Sequence, residues 1–313
     1  MEDMFCPDYR LTNRLVAMLT DIAEGRILIE RARLLPKQEI RLRRQALVRM
    51  THSSTAIEGN ILNIHDVEAL LHQKPIDAPE RDTYEVKNYL KALAYIEQIV
   101  TEKKPLTTRV VRKVHRLVTN KTLRPEACGQ YRKGPVYVAR VSRNGKREII
   151  YTAPQASRVP KLMDDLLAWL QASEQEQINP VIVAGILHQE IAAIHPFADG
   201  NGRTARALAT LVLYQRGYDF RRLFALEDYY NADRPAYYTA IAMGSHFDKR
   251  TTDTTPWLEY FVKGFQEEID KVKHEVITLS VKRMDRNIET QIFLDKEQVI
   301  VLDFLDSLKR ITG

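Results

Sequence analysis

Residues 195–206 read His195-Pro-Phe-Ala-Asp-Gly-Asn-Gly-Arg-Thr-Ala-Arg206. An apolar pattern of helical period precedes this segment from Pro180 to Ile194, and Pro180 suits the first turn of a helix. A second helical pattern follows from about Gly202 to Arg216. The segment therefore joins two helices through a short loop, and it predicts a mainly helical fold built around that junction.

The loop of this segment has the features of an anion site. Gly200 and Gly202 permit a tight turn that directs successive backbone N–H groups at one point. That point is the amino end of a helix, which favours anions. Arg203 and Arg206 lie three residues apart, so they can share a helix face and add donors for phosphate oxygens.

Two further residues of the segment suit chemistry on a phosphate. Asp199 is a hard carboxylate, and Mg²⁺ is usually held by one or two carboxylates together with substrate phosphates. His195 has an ordinary pKa of about 6.5, so it can accept a proton near neutral pH. A lone histidine is more often structural, and Asp-Gly-Asn-Gly alone is commonly a turn. Their combination with two arginines predicts phosphoryl or nucleotidyl transfer to a hydroxyl.

The rest of the chain is predicted to be helical apart from one β-hairpin. Two segments alternate with period two, 135–141 and 147–151, and Asn144-Gly145 between them is a strong hairpin signal. A lone hairpin is only marginally stable, so it must lie against the helices. Besides the two helices above, the apolar spacing predicts helices at about 8–34, 40–58, 63–71, 83–103, 107–119, 159–171, 235–243 and 256–276, with a further helical pattern at 294–309.

Charge and cysteine content restrict the class of protein. The 313 residues carry a formal charge of +6, with a mild basic concentration at Arg41, Arg43, Arg44 and Arg49. Such a concentration usually marks a solvated helix face, and a phosphate-bearing ligand or an acidic partner is the alternative. Two cysteines, Cys6 and Cys128, are too few for a disulfide framework. The start of the chain has no signal-peptide pattern, and the longest apolar run, 181–187, is too short for a bilayer. We therefore expect a soluble cytoplasmic protein.

The segment 195–206 matches the Fic-family motif His-Pro-Phe-x-Asp-Gly-Asn-Gly-Arg-x-x-Arg at every fixed position, and the chain resembles that family over roughly 40–262. The resemblance implies a protein adenylyltransferase that transfers AMP from ATP to a Tyr, Ser or Thr hydroxyl of a target protein. It implies that His195 is the general base and that Asp199 binds Mg²⁺. It also implies that Gly200, Asn201 and Gly202 form an anion hole. Arg203 and Arg206 would bind the distal phosphates.

Other segments follow the order of the Fic family. His115, the run Gly129-Gln-Tyr-Arg132 and then the hairpin resemble its arrangement, in which His115 is structural. The hairpin, 134–152, resembles the family's flap, which holds a target segment by strand pairing. The resemblance further implies contacts with the adenine from Val136 on the flap, from Tyr237 and Tyr238 in Arg234-Pro-Ala-Tyr-Tyr-Thr-Ala-Ile, and from Ser245.

A second motif lies near the amino end of the chain. Ser54-Thr-Ala-Ile-Glu58-Gly59-Asn60 resembles the inhibitory motif of Fic proteins of class II, which precedes the catalytic core. Ser54 and Glu58 are four residues apart and share a helix face. A carboxylate beside Arg206 would pair with it in bidentate fashion and exclude the γ-phosphate. Alone, Glu58 would be an exposed helix-end carboxylate. The resemblance also implies a second role for Glu58, in removing AMP from the target.

The predicted organisation has three parts. Residues 1–104 form an N-terminal helical region with the inhibitory helix at about 40–59, residues 105–265 form the Fic core with its flap, and residues 266–313 form a C-terminal helical extension that resembles the start of a winged helix. The family resemblance implies a homodimer. Neither a membrane nor a nucleic acid is an expected partner.

Several alternatives stay open. Relatives of the Fic family also transfer UMP, phosphocholine or phosphate. The basic pI and the C-terminal pattern are compatible with a DNA-binding regulator, although no recognition helix or aromatic-basic platform is evident. A pseudoenzyme is disfavoured by the presence of His195 and Asp199. A metal hydrolase is disfavoured because His188 and His195 lack a third partner at ligand spacing.

Overall fold

The computed structural model describes residues 5–141 and 147–284, together with residue 298. In that part of the chain, a single antiparallel hairpin accompanies the helices. The helices are α1 (Asn13–Arg31), α2 (Pro36–Ile57), α3 (Ile64–Leu71), α4 (Glu80–Thr101), α5 (Thr108–Thr119), α6 (Val159–Gln175), α7 (Pro180–Ile194), α8 (Asn201–Gln215), α9 (Leu226–Ala232), α10 (Arg234–Ile241) and α11 (Thr255–Met284). The strands are β1 (Tyr137–Val141) and β2 (Arg147–Thr152). The prediction of a mainly helical fold with one hairpin is confirmed.

Helices α7 and α8 form the centre of the core. Almost every residue of both helices is buried, so neither presents a polar face to solvent. Helix α7 packs against α6, α8 and α11, and α8 packs against α4 and α5. The loop of residues 195–200 that joins them is therefore supported from several sides.

The loop begins with an unusual backbone conformation. Helix α7 ends at His195, which adopts the left-handed conformation with φ 50° and ψ 59°. Glycine usually occupies such a position, because a side chain there is mildly strained. Arg132 stabilises the turn, since its Nε donates to the His195 carbonyl at 2.8 Å and its Nη2 to the Ile194 carbonyl at 3.4 Å. These two carbonyls at the helix end would otherwise lack partners.

The N-terminal helices bring the end of α2 to the start of α8. Helix α1 packs along α11, and α2 packs across α4 and α9 and touches α8. Helix α2 begins at Pro36, earlier than the predicted start at about residue 40, and proline is well tolerated there because its N–H would be unpaired anyway. The chain leaves α2 through Glu58 and through Gly59, whose φ of +95° suits glycine.

The hairpin lies against the core as predicted. Its register pairs Tyr137 with Thr152 and shifts between Val138 and Ala139, where a bulge interrupts the ladder. The Tyr151 hydroxyl donates to the Ala193 carbonyl at 2.7 Å, so β2 is anchored on the end of α7. The predicted Asn144-Gly145 turn lies outside the described residues.

The structure departs from the sequence prediction at several points. Helix α9 is absent from the prediction because it is short and its amino end has no side-chain cap, so neither length nor capping signals it. Helix α11 continues past the predicted end at 276 to Met284. The helical pattern predicted at 294–309 lies outside the described part of the chain, with only residue 298 assigned as helical. None of the helices within the described ranges combines the length and the apolar character of a membrane span.

Two isoleucines of α1 provide a matched test of this packing. Ile22 is 0% exposed and Ile27 is 51% exposed. We expect Ile22→Ala to lower the free energy of unfolding by about 2–5 kcal/mol, because it leaves a cavity between α1 and the core. Ile27→Ala should change it by less than about 0.5 kcal/mol. Urea unfolding of both variants measures the difference, and equal losses would contradict the placement of α1.

Candidate active site

His195 is held as a neutral imidazole with one nitrogen free. Its Nδ1 lies 3.2 Å from the Ala192 carbonyl, which can only accept, so Nδ1 carries the proton. Nε2 is then left as an acceptor. Burial lowers the pKa of His195, and the positive charge of Arg132 acts in the same direction, against the hydrogen bond to Ala192. The side chain is therefore suited to accepting a proton at neutral pH.

The side chain of His115 packs against the loop and binds its backbone. Its ring stacks on Phe197 with centroids 3.7 Å apart. The Gly129 N–H donates to Nδ1 at 2.9 Å, so Nε2 carries the proton and donates to the Asp199 carbonyl at 2.9 Å. Burial lowers the pKa of His115 to about 4, so it stays neutral. These contacts agree with the structural role of His115 that the resemblance to the Fic family implies.

The Asn201 side chain closes the loop on itself. Its Oδ1 accepts from the Phe197 N–H and its Nδ2 donates to the Phe197 carbonyl, both at 2.9 Å. Both ends of the amide are thus used within the loop. Any part of Asn201 in an anion hole must be its backbone N–H, at the start of α8.

Asp199 presents a carboxylate at the mouth of the site. Its side chain is 47% exposed, Oδ1 accepts from the Gly200 N–H at 2.6 Å, and Oδ2 lies 3.8 Å from Nη2 of Arg81. Within the described ranges no group of three or more histidine, cysteine or acidic residues is arranged to hold a metal ion. A magnesium ion on Asp199 would therefore take its remaining ligands from phosphate and water.

The start of α8 fits an anionic ligand. A Cβ at Gly200, whose φ is +77°, would lie 2.6 Å from Cγ2 of Thr119, and one at Gly202 would lie 2.3 Å from Oε1 of Glu58. Arg203 is buried, and in the described part of the structure its Nε and Nη1 have no hydrogen-bond partner. Buried donors are normally satisfied, so orphaned guanidinium N–H groups beside a helix amino end fit the phosphates of a magnesium–nucleotide ligand.

Arg206 is buried and fully engaged by the end of α2. Its Nη2 donates to Glu58 Oε1 at 2.7 Å and to the Ser54 carbonyl at 2.8 Å, and its Nε donates to the Ser54 hydroxyl at 2.9 Å. Burial is the largest single influence and lowers the pKa of Arg206, but the charge and hydrogen bond of Glu58, together with Tyr237 and Tyr89, act in the opposite direction, and the net shift is upward. The predicted bidentate pairing is wrong in detail, because Glu58 accepts through one oxygen, Ser54 accepts from Nε and Nη2, and Nη1 donates to the Tyr237 hydroxyl at 3.5 Å.

The two tyrosines of α10 have different environments. Tyr237 is 3% exposed, stacks on Tyr230, and lies with its hydroxyl 3.0 Å from Nε2 of His188. Its ring is buried, and its hydroxyl accepts from Nη1 of Arg206 at 3.5 Å. Its contact with adenine stays a prediction. Tyr238 is about half exposed and donates from its hydroxyl to the Ile57 carbonyl at 3.1 Å. Its contact with adenine stays a prediction.

Val136 and Ser245 lie at the foot of the hairpin. The Ala153 N–H donates to the Val136 carbonyl at 3.3 Å, and the Thr152 N–H donates to the Ser245 carbonyl at 2.9 Å. Adjacent N–H groups of an extended strand point to opposite edges, so the two residues flank the end of β2. Their contacts with adenine stay predictions as well.

Sequence reasoning missed three charged residues of the site: Arg81, Glu85 and Arg132. Arg132 donates to the carbonyls of Gly134 and Pro154 at the two ends of the hairpin, and it also holds the His195 carbonyl. Arg132 is the last residue of the run Gly129–Arg132, which contributes to the family resemblance. The sequence does not, however, indicate which backbone carbonyls it binds. Glu85 and Arg81 lie on α4 and carry no local signal at all.

The chain is similar to proteins of one family in sequence. A model of the Fic/DOC family matches residues 105–213. "Protein adenylyltransferase Fic" of Drosophila grimshawi is 27% identical over 180 residues, which cover 57% of this chain and 35% of the relative. The protein of the same name from Nematostella vectensis is 28% identical over 231 residues, which cover 72% of this chain and 49% of the relative. The chain thus matches half or less of the length of these relatives.

Solved structures show the same fold. A Fic family protein from Desulfovibrio desulfuricans superposes with a TM-score of 0.72 at 27% identity, covering 91% of this chain and 79% of the other. A Fic domain containing signaling protein from Bacteroides thetaiotaomicron has a TM-score of 0.68 at 21% identity, covering 86% and 97%, and shows likeness of fold alone. Residues 105–213 therefore form a domain of the Fic/DOC family.

Proposed function

We propose that this chain is a protein adenylyltransferase that transfers AMP from ATP to a Tyr, Ser or Thr hydroxyl of a target protein. The observation that carries the proposal is the buried Arg203 near the amino end of α8, whose Nε and Nη1 have no hydrogen-bond partner within the described ranges. The name that the curated relatives share supports the same activity.

In the proposed reaction His195 acts as the general base. Its free Nε2 takes the proton of the target hydroxyl, whose oxygen attacks the α-phosphorus of ATP while pyrophosphate leaves. The N–H groups at the start of α8 and the guanidinium of Arg203 stabilise the negative charge on the phosphates. Mg²⁺ held by Asp199 would supply further neutralisation of phosphate charge. Arg132 and His115 keep the loop in place while the proton moves.

Glu58 is proposed to inhibit this reaction. Its carboxylate lies beside Gly202, in the space that a distal phosphate would need. It also accepts a hydrogen bond from Arg206, the cation that would bind that phosphate. Glu58 follows the last residue of α2 and precedes Gly59, and a change of backbone conformation at this glycine would withdraw the carboxylate and release Arg206. The same carboxylate could orient a water molecule for removal of AMP from a modified target.

The hairpin is proposed as the docking element for the target. Residue 246 bridges to Thr152, so the outer edge of β2 is partly occupied at its foot. The strand edges beyond that point remain for pairing with a target segment. The division into residues 1–104, 105–265 and 266–313, and a homodimeric assembly, are proposals that accompany this function.

Labelled ATP separates AMP transfer from phosphate transfer. We expect label from [α-³²P]ATP, and none from [γ-³²P]ATP, to enter protein in a cell extract. His195→Ala should lose at least about a hundredfold in rate, because general-base catalysis contributes about 10²–10⁴-fold. Label from the γ-position, or from UTP or CDP-choline in place of ATP, would favour the alternative Fic reactions.

The role of Glu58 is tested by removing its carboxylate. We expect Glu58→Gly to raise the transfer rate at least about tenfold, since a charge-assisted hydrogen bond contributes about 1.5–3 kcal/mol and about 1.4 kcal/mol is tenfold. Glu102→Gly is a matched control, because Glu102 also follows the last residue of a helix but lies at the exposed end of α4. Equal rates for the two variants would refute the inhibition.

The pH dependence follows from the lowered pKa of His195. A histidine whose pKa is lowered stays unprotonated, and can therefore act as a base, at pH values below its ordinary pKa of 6.5. In Glu58→Gly we expect kcat/KM to be level at neutral pH and to fall only as the pH drops below 6.5. An acid limb with its midpoint above pH 7 would contradict this environment for the base.

A further inference from the structure

A second carboxylate from the N-terminal helices reaches the phosphate-binding arginines. Glu85 lies on α4, is 4% exposed, and has Oε1 3.3 Å from Nη1 of Arg203. Asn60 donates from Nδ2 to Oε2 of Glu85 at 3.0 Å, which turns the other oxygen toward Arg203. Glu85 belongs neither to the segment 195–206 nor to the inhibitory motif.

Glu85 and Arg203 compensate each other's charge. Both side chains are buried, and buried charges persist in folded proteins when they are paired. Arg81 adds a second cation, since its Nε donates to Oε1 of Glu85 at 3.3 Å, but its side chain is 67% exposed. Water screens Arg81, so Arg203 is the buried charge that depends most on Glu85.

The contact neutralises Arg203 without occupying its donors. The 3.3 Å approach to Nη1 is an ion pair without hydrogen-bond alignment, and within the described ranges Nε and Nη1 keep no hydrogen-bond partner. Glu58, in contrast, accepts a direct hydrogen bond from Arg206. Glu85 therefore leaves the N–H groups to a ligand but reduces the positive charge that attracts an anion.

We propose that Glu85 is a resident counter-charge that lowers the affinity of the Arg203 site for nucleoside triphosphate. Without it, Arg203 is a buried cation that no other carboxylate of the described residues pairs with, and a bound anion would neutralise it. A ligand that repairs such a defect binds more tightly to the defective protein, because folding and binding are linked. This inference rests on the proposed function only in taking ATP as the ligand.

The test measures ATP and adenosine binding by calorimetry in EDTA, in the Glu58→Gly background, which frees Arg206. We expect Glu85→Gln to bind ATP about three- to thirtyfold more tightly, the range expected for one screened unit charge nearby. Adenosine affinity should stay unchanged, since the nucleoside carries no phosphate. The melting temperature without ligand should fall, and the rise on adding ATP should exceed that of the parent.

Glu97→Gln is the matched control. Glu97 lies on the same helix and pairs with Nε of the buried Arg222 at 3.1 Å, and its twelve-residue separation from Glu85 is roughly 18 Å along α4. This variant should also melt earlier but should bind ATP as the parent does. Tighter ATP binding by Glu97→Gln would show that loss of any such pair suffices and would overturn the proposal.

Two outcomes separate this inference from the proposed function. If Glu58→Gly transfers AMP but Glu85→Gln binds ATP no more tightly, or adenosine affinity changes in parallel, Glu85 is not a counter-charge and the inference fails alone. If ATP binding tightens as expected but no label transfers, the inference stands and the adenylyltransferase proposal fails. If Glu85→Gln does not fold, Glu85→Asp is the alternative variant, because its carboxylate lies one methylene farther from Arg203. An unchanged ATP affinity in Glu85→Asp would refute the proposal.

Discussion

The guanidinium of Arg206 is the group on which the site and the N-terminal helices both depend. It is buried and charged, and a buried charge must be compensated by hydrogen bonds and an opposite charge. The compensating groups, Ser54 and Glu58, come from the end of α2 and not from the core that carries the arginine. The contact that fixes α2 against α8 is therefore the same contact that occupies the arginine. Stability of the ligand-free protein and accessibility of the site oppose each other here, as is common where a site holds strained or unmatched charge.

The loop of residues 195–200, in contrast, is held by contacts within the protein. Arg132 holds the His195 carbonyl, His115 holds the Asp199 carbonyl, and Asn201 ties its side chain to the backbone of Phe197. Each contact uses a buried side chain to satisfy a loop carbonyl or N–H, so the loop conformation is determined before substrate arrives. Preorganisation of this kind reduces the reorganisation needed during the reaction. The proposed inhibition by Glu58 therefore needs no movement of the loop and acts on Arg206 instead.

The sequence predicts the parts whose signals are local. The bounds of α7 and α8 follow within a residue or so from Pro180, the glycines of the loop and the end of the apolar pattern at Arg216, because prolines and glycines mark helix ends. The residues of 195–206 are contiguous, so their convergence needs no tertiary information. Partners from distant segments, such as Arg132 and Glu85, have no such signal. Tyr237 illustrates a different limit, since α10 is too short for its pattern to decide which of two adjacent tyrosines faces inward.

The two carboxylates near the arginines differ in how easily they can leave. Glu58 is 29% exposed at its side chain and stands at a helix end before a glycine with positive φ, so a small backbone rotation can withdraw it. Glu85 lies within α4, where the helical backbone and the contacts of α4 with α5 and α8 fix its position. One carboxylate is thus removable and the other is permanent. Under the proposed function, a stimulus that activates the site should therefore act on the end of α2, while Glu85 on α4 would lower the nucleotide affinity in both states.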